Sequence, residues 1–119
     1  MKSSGSISAF TTRNTYIIAA VLASAFFAIA AVAAPPSLER GKELFNGTAL
    51  SGNGKSCADC HSNGKGLERT TVYDEDELAD IVNQCIRKPL DGKGLEPTST
   101  DMKSLIIYIR SLAASGNGG

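Results

Sequence analysis

Two cysteines three residues apart with a histidine directly after the second, Cys57-Ala58-Asp59-Cys60-His61, are the residues of this chain best equipped for chemistry. C-x-x-C-H is the pattern at which a haem is attached covalently. Two thiols at that spacing can form thioether bonds to the two vinyl groups of one haem, and the adjacent imidazole then falls under the iron as proximal ligand. Other chemistries fit less well. A thioredoxin-like C-x-x-C belongs beside a βαβ pattern, which is missing from this sequence. Zinc fares no better, since a structural site needs four ligands and the whole chain holds only three cysteines and one histidine. One covalently bound haem c, carried by Cys57 and Cys60 with His61 on the iron, is therefore the expected cofactor.

Haem iron bound by one histidine has a second axial position, and its occupant decides between an electron carrier and a reactive centre. Met1 aside, the sequence offers one methionine, Met102. It falls one turn before Leu105, on the same side as the apolar stripe of the last expected helix. A soft thioether suits haem iron, and His/Met ligation raises the potential toward that of a carrier, so Met102 is the expected distal ligand. The structural alternative is a core gap-filler. Cys85 is the rival, but its place on a helix face with Ile81, Val82 and Ile86 predicts a buried, inert thiol. A thiolate ligand there would need deprotonation and an electropositive pocket. Lys103 is a weaker candidate, because an amine must lose its proton before it binds.

Three short helices must position these groups. Ser37 is a plausible N-cap for a first helix of about two turns carrying Leu38, Leu44 and Phe45, with Arg40 where a capping box would have Glu. Gly47, Gly52 and Gly54 make the approach to the haem motif a loop, and Ser62 to Gly66 is another. Asp74 and Glu77 form a capping-box pattern, with Glu75 and Asp76 adding first-turn acids. Leu78, Ile81, Val82, Cys85 and Ile86 then recur at helical spacing on one face. Lys88-Pro89 ends that helix. Leu90 to Pro97 reads as an irregular loop. Ser99 or Thr100 caps a last helix striped by Leu105, Ile106, Ile109, Leu112 and Ala113. Residues 115–119 read as a frayed tail. No repeat and no alternating strand pattern is present, so the expected class is all-α.

The front of the chain has a different character. Met1 to Arg13 carries Lys2 and Arg13 and no acid, Tyr16 to Ala30 is apolar, and Ala31-Val32-Ala33-Ala34 supplies small residues. These are the three parts of a secretory signal, with cleavage expected near Ala33, so 1–33 reads as signal peptide and 34–36 as a linker. The competing reading is an uncleaved anchor over residues 16–34, a length close to the ~20 apolar residues of a span. Either reading exports the remainder. Without 1–33 the chain keeps all 12 acids and loses two of its 12 basic residues. The resulting charge of about −2 argues against a nucleic-acid partner. So small a domain, with Phe45, Tyr73 and Tyr108 its only aromatics, needs something to supplement its core, and a porphyrin would do so.

Gly41-Lys42-Glu43-Leu44-Phe45, the haem motif, Asn83-Gln84-Cys85-Ile86, Leu90 to Leu95 and Ser99 to Ile109 together resemble the class I monohaem c-type cytochromes, over nearly all of residues 37–114. The later segments are similar to the cytochrome domains of bacterial Sox-type and thiosulfate dehydrogenase proteins. The resemblance implies a small helical fold with haem between the first and last helices, a location outside the cytoplasmic membrane in the periplasm, and an axial ligand at the Met102 position. The expected function is single-electron transfer between redox partner proteins, with no enzymatic activity of its own. Lys55, Lys65 and Lys93 are candidates for a docking patch. The alternatives are a haem subunit of a thiosulfate-oxidising complex, in which Cys85 does sulfur chemistry, and a binder of small gases, in which Met102 leaves the iron open.

Overall fold

The computed structural model describes residues 32–116. The expected signal or anchor segment lies outside the described residues except at its last positions, and so does the end of the tail. Among the described residues the chain is helical with no strand, and no helix is long and apolar enough to cross a membrane. The elements are α1 (Leu38–Asn46), α2 (Cys57–Cys60), 3-10 turns at Ser62–Gly64 and Glu68–Val72, α3 (Glu75–Arg87) and α4 (Thr100–Gly116). The last helix runs two residues into the expected tail.

Helix starts follow their caps. The Ser37 hydroxyl accepts from the Arg40 N–H at 3.2 Å. Asp74 and Glu77 cap reciprocally, with Glu77 N–H donating to Asp74 at 2.8 Å and Asp74 N–H to Glu77 at 3.3 Å. Ser99 rather than Thr100 caps α4, its hydroxyl accepting from Met102 N–H at 3.2 Å. Each bond satisfies a donor that the first turn leaves without an intrahelical partner.

The first and last helices make the most extensive contact between helices. They meet at Gly41, where a Cβ would lie 2.0 Å from the Ser104 carbonyl oxygen and 2.7 Å from Tyr108 Cβ, so only glycine permits this approach. Ser104, fully buried, accepts from the Ser37 N–H at 3.0 Å and donates to the Thr100 carbonyl at 2.7 Å. Arg40 explains the incomplete capping box. Its guanidinium forks onto the Asp101 carboxylate at 2.8 and 3.0 Å, bracing the crossing from its rim instead of reaching back to its own N-cap. Phe45 meets Tyr108 edge-on at 5.3 Å between centroids, a favoured aromatic geometry.

Leu44, Phe45, Leu78, Val82, Ile86, Met102, Leu105 and Ile106 form one apolar core. On the far side, the loop after α3 folds back through Gly92 N–H to the Ile86 carbonyl at 2.8 Å. Buried Asn83 holds that loop from both ends of its amide, donating to the Leu95 carbonyl at 2.8 Å and accepting from Leu95 N–H at 2.7 Å.

Candidate functional site

The C-x-x-C-H motif forms its own short helix. In α2, Asp59 reaches back to the N-cap, its carboxylate accepting from the Ser56 N–H at 2.6 Å and the Ser56 hydroxyl at 3.1 Å. These two bonds hold the Asp59 carboxyl below the usual carboxylate range. The His61 N–H closes the turn on the Cys57 carbonyl at 2.9 Å. Asp59, a spacer in the motif, thus fixes the turn from which both thiols project.

His61 is oriented by the next turn. Its Nδ1 lies 2.9 Å from the Lys65 carbonyl oxygen. A carbonyl only accepts, so Nδ1 carries the proton of the neutral ring and Nε2 keeps the lone pair that a metal takes. That turn depends on Gly64 at φ +80°, packed where a Cβ would come within 2.9 Å of Leu112 Cβ.

Cys57, Cys60 and His61 line one cleft, together with Ser56, and its remaining walls are almost wholly apolar. Phe45 of α1, Leu67, Ile109 of α4 and the Pro89-Leu90 corner close it on several sides, and α3 supplies Leu78, Ile81, Val82 and Cys85. The corner is tied to the loop before the motif by Gly52 N–H to the Leu90 carbonyl at 2.8 Å and Asn53 Nδ2 to the Pro89 carbonyl at 2.9 Å. With its open mouth the cleft holds about 620 Å³. With two thiols on one helical turn, an imidazole whose Nε2 is free to bind metal and apolar walls, the residues present fit that group.

Met102 is fully buried in the core and does not line the cleft. It shares the α4 stripe with Ile109, which does reach the cleft, but seven residues separate them, a rise of about 10 Å along the axis. Cys85 is exposed rather than buried. Along the α3 stripe Leu78 and Val82 are buried and line the cleft as well, Ile86 is buried without lining it, and Ile81 and Cys85 line it from more exposed positions. Cys85 was weighed from the sequence as an inert core thiol because periodicity cannot separate adjacent rows of one apolar face.

Thiol acidity reports the same neighbourhood. Burial pushes the Cys57 thiol up to about 11, with the nearby Cys85 adding to the shift. Cys85 is also raised, by burial first and by Cys60 second. Comparison of the chain with protein families, curated proteins and solved structures finds no match.

Proposed function

We propose that this protein is a monohaem c-type cytochrome of the class I type, exported to the periplasm, which passes single electrons between redox partner proteins. One observation carries the reading: Cys57, Cys60 and His61 line the same apolar cleft, with the His61 ring set by the Lys65 carbonyl. When bound, a haem supplies the one-electron Fe(III)/Fe(II) couple.

The chain's own residues do the remainder. Cys57 and Cys60 tether the group, Asp59 fixes the turn that carries both thiols, and His61 presents Nε2 to the metal. Leu78, Val82, Leu90 and Ile109 exclude water from one side, which favours a stable potential over ligand exchange. Lys55, Lys65 and Lys93 are all exposed. They would serve as the positive patch for an acidic partner, through steering that weakens with salt.

A redox titration of the purified exported protein tests this. A single reversible optical transition with the slope of a one-electron couple, about 59 mV per decade, is the expected result. Irreversible bleaching, or no redox-active chromophore, would refute it.

A further inference from the structure

We infer that the mouth of the cleft is a docking surface of two signs, cations at one end and acids at the other, which fits a partner protein carrying an acidic patch and a basic one in the matching positions. The inference rests on the haem reading above and adds to it the charge pattern and orientation of the partner. α3 runs along the cleft, lining it with Leu78, Ile81, Val82 and Cys85 and ending at the Pro89-Leu90 corner. At its start stand Asp74, Glu75, Asp76, Glu77 and Asp80, all exposed. At its other end the backbone gathers the opposite sign.

Three segments deliver those cations. Arg87 and Lys88 close α3. Arg87 Nε donates to the Lys93 carbonyl at 3.3 Å, which brings the Lys93 loop back to the helix end. Asn53 Nδ2 donates to the Pro89 carbonyl at 2.9 Å and the Lys55 N–H to Asn53 Oδ1 at 3.2 Å, which sets Lys55 beside the same corner. Lys55, Arg87, Lys88 and Lys93 are exposed, and among the described residues neither they nor the acids of α3 share a salt bridge. Lys65 lies on the separate turn beyond His61.

Helix stability does not account for the arrangement. Glu75, Asp76 and Glu77 suit the positive end of the helix dipole. Asp80 lies beyond that turn, at i+4 from Asp76 and i+3 from Glu77, spacings at which like charges repel. Lys55 and Lys93 belong to loops and complement no helix end of their own. From Asp76 to Arg87 the helix rises about 16 Å. Salt screens charges beyond about 8 Å at physiological ionic strength, so an approaching partner meets two separate fields rather than one net charge. Opposite signs at the two ends fix which way round it docks.

Stopped-flow oxidation of the reduced holoprotein by two small probes tests this, with hexacyanoferrate(III) as the anion and tris(phenanthroline)cobalt(III) as the cation. Lys55→Glu combined with Lys88→Glu should slow the anionic probe roughly tenfold at low salt and leave the cationic probe no slower. Asp76→Lys combined with Asp80→Lys should do the reverse. Both differences should shrink as salt is added, and the midpoint potential should stay near that of wild type, since the charges act on approach. The neutral pair Lys55→Gln and Lys88→Gln should act in the same direction at smaller size, which keeps the test open if a reversal fails to fold. Folded variants that leave both rates as in wild type, or that move the two probes in the same direction, would overturn the inference. Those outcomes leave the haem reading standing, whereas a protein without bound haem sinks the two together.

Discussion

The two ends of α4 live in different surroundings. Near its start, Met102, Ser104, Leu105 and Ile106 are buried against neighbours that match them, and α1 approaches so closely at Gly41 that no side chain fits between the backbones. Two turns on, Ile109 borders a cleft whose walls carry three thiols and an imidazole. The first region is complete as it stands, with every buried polar side chain among the described residues satisfied. The second is apolar surface without protein atoms to cover it. The same helix therefore serves as scaffold at one end and as a wall of the site at the other. Its residues should separate by phenotype, stability at the crossing and spectrum at the cleft.

The sharpest way to break that division is Gly41→Ala. Its Cβ would press on the Ser104 carbonyl, a backbone atom that moves only if α1 and α4 part. A loss of about 3 kcal/mol or more in denaturant unfolding of the holoprotein is expected. Met102→Ala comes next, at about 2–5 kcal/mol for deleting a buried side chain without collapse of the space. The same variant separates two roles, since a changed haem spectrum would place Met102 on the iron and an unchanged one would confine it to the scaffold. Asn83→Ala leaves the Leu95 N–H and carbonyl without their partner, a cost of about 1–3 kcal/mol.

Smaller changes sharpen the contrast. Cys85→Ser should cost under about 1 kcal/mol in denaturant unfolding, since the residue is exposed on the cleft side. Asp101→Asn is the mildest. Arg40 holds the Asp101 carboxyl below its usual value, so the pair adds stability above the unfolded-state pKa, and that contribution fades as pH falls through the lowered folded-state pKa. Both partners are partly exposed, and the variant should lose only about 0.5 kcal/mol at neutral pH. The wild-type and variant unfolding curves should converge in strong acid; a difference that grows with acid would mean the pair acts otherwise.

What could be read in the sequence followed from local chemistry. Ser37, Asp74 and Ser99 cap because their side chains reach donors three residues away, and Lys88-Pro89 stops α3 for equally local reasons. The haem motif was visible for the same cause. Four features were not. Arg40 meets Asp101 across 61 residues of chain, so its absence from a capping box looked like a defect. The α3 face grades from buried Leu78, Val82 and Ile86 to more exposed Ile81 and Cys85, a distinction made by what packs against the helix and not by its period. Met102 was placed on the apolar side of α4, where it is buried, but spacing gives an angle around the axis and says nothing about which neighbour lies at that height. The 3-10 turn at Ser62–Gly64 falls in a stretch read as loop, and neither the short helix α2 nor the turn at Glu68–Val72 was expected, because so few residues carry no period.

The central claim is that a haem is bonded to Cys57 and Cys60. Intact-mass measurement of the purified exported protein, made with haem-attachment machinery present during expression and paired with an alkaline pyridine spectrum, tests it directly. The account predicts one added haem that survives denaturation and a spectrum of the doubly thioether-linked type. A colourless chain of unmodified mass, with Cys57 and Cys60 free to alkylate, would contradict it.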